Sequence, residues 1–284
     1  MAAREDRTYV DAHGVTIHFH VWAAVEPRAV VQLLHGLGDH AMRYEALATK
    51  LVAAGYSVYA DEHRGHGATG LGQHGGDHSK LGKLGVGGIP ATVAAVRQFT
   101  GIIRDENPGL PLVLLGHSWG SIIAQKLIDD DASDYDALIL SGTAYRTLTH
   151  MNGGDLSKSH RASGGTGVEW LSRDVTIQEA FVADPLTFEA QTLKLFGLVD
   201  SLRLLGRPAK NIEHDIPVLI QGGSEDPLPV GDSVKRLADD YLKRSALTDV
   251  KLIVYTDARH EIFNETNRDE IIADTIEWIR SRVA

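Results

Sequence analysis

The chain has 284 residues, 43% hydrophobic and 23% charged, with a formal net charge of −10 at pH 7. That balance fits one large α/β domain or a domain with an insertion, and without a basic run it argues against a nucleic-acid partner. Cysteine is absent, which excludes disulfides, cysteine-based zinc sites and a thiol nucleophile.

Residues 1–10 are polar and charged with no apolar signal core, and no apolar stretch reaches the roughly 18 residues of a membrane span, so a cytoplasmic protein is expected. Residues 8–10 and 15–22 predict an opening hairpin around Ala12-His13-Gly14. In the second run Val15, Ile17, Phe19 and Val21 alternate with Thr16, His18 and His20, which predicts one buried face and places both histidines on the solvent side. Residues 29–34 read as a short buried strand that enters His35-Gly36-Leu37-Gly38-Asp39-His40. A glycine-rich loop there suits a phosphate only if Lys-Ser/Thr or the G-x-G-x-x-G spacing follows, and neither does. Its other use is to turn a backbone N–H toward a developing oxyanion.

Residues 44–54 predict a helix ended by Gly55, and 56–60 a strand leading to Asp61-Glu62-His63-Arg64-Gly65-His66-Gly67. His63 with His66, and His74 with Asp77 and His78, have metal-like spacings, but neither set is complete, so loop packing and hydrogen bonding are the expectation and no metal or cofactor is assigned. Residues 70–88 read as a surface loop and 89–106 as a helix, with Val93, Val96, Phe99, Ile102 and Ile103 on one face.

Residues 112–115 form an apolar strand, followed by Gly116-His117-Ser118-Trp119-Gly120 and a helix-like run from Ser121. Strand, G-x-S-x-G, helix is the context of a nucleophile elbow, in which glycines permit a sharp turn that exposes the serine hydroxyl. Another strand follows at 135–140. Alternation of strand and helix argues for a parallel sheet covered on both faces.

The alternation breaks after that strand. Residues 149–167 look loop-like, and 177–205 have helical periodicity in which Leu195, Leu198, Leu202 and Leu205 could share a face. Residues 1–144 and 213–284 are therefore expected to form the core, with 145–212 as a cap. The amphipathic helix around 193–205 either packs on the core or makes weak contact with a membrane surface. Strands at 216–221 and 250–255, and helices at 232–242 and 268–283, complete the chain.

Ser118, Asp226 and His260 each fall just past a predicted strand, at the edge where open α/β sheets bind ligands. A serine hydroxyl becomes a competent nucleophile when an imidazole takes its proton, and a carboxylate holds that imidazole in the required tautomer. Asp226 is preferred over neighbouring Glu225 as the acid, Asp257 is read as a turn residue, and His117 as support. The N–H groups of Trp119 and Leu37 are the candidate oxyanion donors.

The segments HGLGDHAMRY (35–44), DEHRGHG (61–67), GHSWG (116–120), GGSEDP (222–227) and ARHEIFNET (258–266) resemble the α/β-hydrolase superfamily. Within it the chain is similar to the monoacylglycerol lipase and lysophospholipase branch of serine-aminopeptidase-like hydrolases. The resemblance implies a mostly parallel eight-stranded sheet with helices on both faces and an inserted helical cap. It implies Ser118, Asp226 and His260 as a triad, with Leu37 and Trp119 as oxyanion donors and no cofactor. The implied activity is hydrolysis of a small-molecule ester through an acyl-enzyme: a monoacylglycerol, a lysophospholipid or another small ester. The alternatives are an amide hydrolase of the proline iminopeptidase type, with Glu169, Asp174 or Glu179 receiving an amino terminus, and a non-catalytic binding protein. Trp119 stands where the branch often has Met, which narrows the acyl pocket, and Ala68-Thr69-Gly70 departs from the usual small residue and Ser.

Overall fold

A computed structural model describes residues 4–161 and 165–283. Residues 1–3, part of the polar N-terminal stretch, and 162–164, inside the expected loop, lie outside the described residues. The strand expected at 8–10 extends through the polar residues before it to form β1 (Arg4–Val10), and the apolar runs form β2 (Thr16–Trp22), β3 (Ala29–Leu34), β4 (Tyr56–Asp61), β5 (Leu112–His117), β6 (Ala137–Ser141), β7 (Val218–Gly223) and β8 (Val250–Tyr255). They make one eight-stranded sheet in the order β1-β2-β4-β3-β5-β6-β7-β8. β2 is antiparallel to both β1 and β4, and all later pairings are parallel.

Because β3 has β4 on one side and β5 on the other, the order of connection reverses there. Such a switch point opens a crevice between the loops that leave two adjacent carboxyl ends. The register Leu34↔Gly116 brings the His35–His40 loop and the G-x-S-x-G turn to that crevice.

Alternation within the buried strands divides the core into two layers. Val30 and Leu34 of β3, with Leu112 and Leu114 of β5, pack with Val96, Phe99 and Ile103 of α3 (Gly88–Glu106), Ile123 and Leu127 of α4 (Trp119–Asp130) and Leu237 and Tyr241 of α7 (Ser233–Lys243). Val31, Leu33, Val113 and Leu115 point to the other face, against Leu47 and Leu51 of α1 (Glu45–Ala53) and Ile271, Trp278 and Ile279 of α8 (Arg268–Arg282). Burying each such side chain contributes about 1.5–3 kcal/mol, so the sheet is fixed from both sides and its upper edge is a rigid platform.

Three expectations are corrected. His20 is not on a solvent face: it is buried, with Nδ1 2.7 Å from Asp6 Oδ1 and Nε2 3.0 Å from Glu62 Oε1. His18 is half-buried. β2 is an interior strand, so the open face assumed for it is covered. The loop expected at 70–88 contains the end of a helix, α2 (Gly67–Gln73), and a short 3₁₀ turn, His78–Lys80. Three glycines lower its helix propensity, but tertiary contacts override them: Thr69 is buried and its Oγ1 accepts the His18 N–H at 2.8 Å.

The third correction concerns residues 177–205, which form two helices, α5 (Val175–Ala183) and α6 (Thr192–Arg203), and α6 is kinked at Gly197 (φ 69°, ψ 179°). The kink breaks the 3.6-residue phase, so the expected common face splits. Leu195 and Leu205 are half-buried, whereas Leu198 and Leu202 are 65% and 50% exposed. No helix among the described residues is long and apolar enough to cross a membrane.

The segment between β6 and β7 is bonded to the loop that leaves β3 and to the start of α3. His40 Nε2 is 2.9 Å from Asp184 Oδ2, Phe188 donates its N–H to Gly38 O at 3.1 Å, and Asp200 accepts the Ile89 N–H at 3.2 Å.

Candidate active site

Ser118 is the single residue between β5 and α4, with φ 52° and ψ −119°. A non-glycine residue with positive φ is strained, and it persists only where its surroundings enforce it. Gly116 and Gly120 allow that enforcement. A Cβ on Gly116 would lie 2.5 Å from Gly120 O, and one on Gly120 would overlap Leu34 O. The strand, the helix and the neighbouring β3 therefore touch backbone to backbone around Ser118. Its side chain is half-buried at the mouth of the crevice, and its N–H is tied to Ser141 O at 2.9 Å.

The N–H groups of Leu37 and Trp119 donate to no acceptor among the described residues. Trp119 opens α4, where the helix dipole favours negative charge. The Leu37 loop lies against the nucleophile, since a Cβ on Gly36 would be 3.3 Å from Ser118 Cβ. His35 shapes this loop: its Nδ1 bonds Gly36 O at 2.8 Å and its Nε2 accepts the His63 N–H at 3.0 Å. His63 in turn bonds Asp61 through Nδ1 at 2.9 Å, and His66 bonds Arg64 O at 2.9 Å. His74 and His78 bond Lys83 O and Pro185 O at 2.8 and 3.0 Å. Each of these histidine rings is thus held by at least one hydrogen bond.

His260 Nδ1 sits 3.0 and 2.9 Å from the two carboxylate oxygens of Asp226, and both side chains are buried. Asp226 Oδ1 also accepts the Leu228 N–H at 2.9 Å, which fixes the carboxylate. Burial alone would lower the His260 pKa. The charge and hydrogen bond of Asp226, helped by Glu261 and Asp39, outweigh it and hold the imidazole above its usual value. Glu225 is exposed and bonds Ala258 O only through its backbone, so Asp226, not Glu225, reaches the imidazole. Asp257 is an exposed turn residue with φ 62°.

No hydrogen bond joins Ser118 Oγ to His260 Nε2. His117, the residue before Ser118, has its buried ring 4.9 Å from that of His260 and its Nδ1 3.1 Å from Ser141 Oγ. Burial, then the neighbouring His260 and Arg43, keep His117 well below the usual imidazole pKa.

Sequence reasoning missed the shell behind His260. Arg43 forms a bidentate pair with Glu261 at 2.9 and 2.7 Å, and lies 3.5 Å from Asp39. Tyr44 donates to Asp39 at 2.7 Å and Asn264 to Glu261 at 3.0 Å. Burial first, then the Glu261 charge, push the Asp39 pKa up, partly offset by Arg43 and Tyr44. From the β6–β7 segment Trp170 covers His260, ring to ring at 4.8 Å, and its backbone carbonyl accepts the His260 backbone N–H at 3.3 Å. Trp119 packs against His63, His66 and Phe196, with ring centroids 5.5, 5.1 and 5.6 Å away. Burial pushes the His66 pKa down to about 3, so that ring is neutral.

Of the acidic residues considered for an amino terminus, two are engaged and one is exposed. Asp174 caps α5 and pairs with Arg268 at 3.0 Å, Glu169 accepts the Gly167 N–H at 3.2 Å, and Glu179 is exposed.

The chain matches the family model described as serine aminopeptidase, S33, over residues 25–267. It is 32% identical to a monoacylglycerol lipase of Mycolicibacterium smegmatis, across 99% of both chains. It is 26% identical to human monoglyceride lipase, across 97% of this chain and 90% of that one. Its fold superposes on a thermostable carboxyl esterase of Bacillus coagulans in complex with glycerol, with a TM-score of 0.85, 23% identity and complete coverage of both chains. The sheet order, the strained elbow and the extent of these matches lead to one statement: the chain belongs to the serine aminopeptidase S33 family of α/β-hydrolases, in the branch that resembles monoacylglycerol lipases.

Proposed function

We propose that this protein is a serine carboxylic ester hydrolase that works through an acyl-enzyme. The observation that carries the reading is the buried His260–Asp226 pair at the same sheet rim as a strained, half-buried Ser118. Ser118 Oγ attacks the ester carbonyl as His260 Nε2 takes its proton. Asp226 holds the Nδ1–H tautomer and stabilises the imidazolium. The oxyanion is received by the N–H groups of Leu37 and Trp119, each worth about 100 to 1,000-fold in rate. When the carbon–oxygen bond to the alcohol breaks, His260 returns the proton to the leaving oxygen. Water then attacks the Ser118 ester with His260 again as base, releasing the acid.

Family membership and the lipase relatives support an ester, and the substrate is a monoacylglycerol, a lysophospholipid or another small ester. Residues 145–212 act as a cap on a core of 1–144 and 213–284, with Trp170 roofing His260. Exposed Leu193, Leu198, Val199 and Leu202 on α6 support weak contact of this cap with a membrane surface in a cytoplasmic protein.

The test is labelling with an organophosphate. Label is expected on Ser118, with loss of both label and esterase activity in Ser118→Ala. Full activity in that variant sinks the assignment.

A further inference from the structure

We infer that Trp119 and Phe196 close the acyl side of the site and restrict this protein to esters of short acyl groups. The inference rests on the ester-hydrolase reading above and adds a substrate class to it.

Three groups on the reacting carbon have to be placed. The alcohol oxygen must come within hydrogen-bond reach of His260 to receive its proton, so the alcohol half lies beside His260 and the Trp170 ring that stacks on it. The carbonyl oxygen is taken by the Leu37 and Trp119 N–H groups. The acyl substituent is thereby directed away from His260, past those two donors.

The walls on that side are Leu37, His66, Trp119, Phe188 and Phe196. Phe188 is pinned over the Leu37 loop by its N–H bond to Gly38 O, and its ring lies 5.2 Å from that of His66. Trp119 rises from the floor of the crevice and Phe196 descends from α6, and their rings meet at 5.6 Å. The indole is only 3% exposed and is wedged by His63 and His66. An extended chain passes this point only by displacing a buried aromatic ring. The indole Nε1 finds no acceptor among the described residues, so no hydrogen bond explains its position. Its contribution here is volume. Each methylene that a pocket accommodates is worth about 10 to 200-fold in discrimination, and a blocked pocket forgoes that gain.

The experiment compares kcat/KM on nitrophenyl esters from acetate to dodecanoate for the unaltered protein, Trp119→Met and Phe196→Ala. The unaltered protein is expected to be fastest on acetate or butyrate, and to fall by about tenfold or more by dodecanoate. Each variant is expected to raise the dodecanoate-to-butyrate ratio by about tenfold or more. That ratio is independent of how much of a preparation is folded, and if Trp119→Met does not fold then Phe196→Ala decides. A preference for dodecanoate in the unaltered protein, or an unchanged ratio in the folded variants, overturns the inference and leaves the ester-hydrolase reading standing. Failure to hydrolyse any ester of the series overturns that reading, and the inference with it.

Discussion

Arg43 and Glu261, 218 positions apart in the chain, form a bidentate ion pair one residue from His260. The pair ties the loop that carries the Leu37 N–H to the loop that carries His260. It also sets charge near the imidazole: Asp226, Glu261 and Asp39 all favour its protonated form, while Arg43 and His117 stand close by.

Glu261→Gln removes one of the charges that raise the His260 pKa. The base must be neutral to act, so activity rises with pH through a His260 pKa held above its usual value. In Glu261→Gln this acidic limb of the kcat/KM profile is expected to move to lower pH, because a raising charge is gone and Arg43 loses a partner. The same raised pKa stabilises the fold below the ordinary imidazole pKa, a contribution lost as pH rises through the folded-state value. A profile recorded from pH 5 to 9 checks the direction. An acidic limb that stays in place or moves upward contradicts this account.

Asp226→Asn keeps the shape of the side chain but supplies a donor where the imidazole needs an acceptor. The wrong tautomer then faces Ser118, and kcat is expected to fall by about 10⁴. Glu225→Gln, one residue away but exposed, should stay within about twofold, since surface changes away from a site usually cost little. Steady-state kinetics on both variants discriminates the two acids, and equal losses would contradict the choice of Asp226.

Gly116→Ala places a methyl group against the backbone of Gly120 and Ser121, which cannot yield as a flexible side chain would. A loss of about 3 kcal/mol or more is expected, at the upper end of overpacking costs, with loss of activity. Gly72 is the control. It lies in α2 with nothing near a would-be Cβ, and Gly72→Ala should be neutral or stabilising by up to about 1 kcal/mol. Chemical denaturation of the two variants measures the contrast.

What the sequence made legible was whatever depends on short-range pattern. Seven of the eight strands, β2 to β8, carry apolar runs bounded by turn residues, and the structure pairs all eight in one sheet; β1 (REDRTYV) is mostly polar and exposed, and only its end at 8–10 was legible. Ser118, Asp226 and His260 stand past the ends of β5, β7 and β8 because each strand-to-turn transition is written locally. Arg43 and Glu261 left no such trace, since neither residue signals its partner across the chain. His20 was misplaced because alternation reports which residues share a face, not whether that face is open. α2 was missed because its glycines speak against a helix that only packing sustains. The apolar face of α6 was split by Gly197, whose backbone angles no periodicity count includes.

The position of the insertion also bears on how the rim is built. β6 and β7 are neighbours that run the same way, so the intervening chain departs from the upper rim and must return to the lower one. The return leg is stitched to the body by Gly206 N–H to Arg146 O, Ala209 N–H to Asp129 and Ile212 N–H to Ser245 O, at 2.8, 2.7 and 2.9 Å. No strand of the eight-stranded sheet lies between β6 and β7, so a change of chain length there leaves the pairing of the sheet itself untouched. The rim past β5, β7 and β8 is thus built by strand pairing in which the chain between β6 and β7 takes no part.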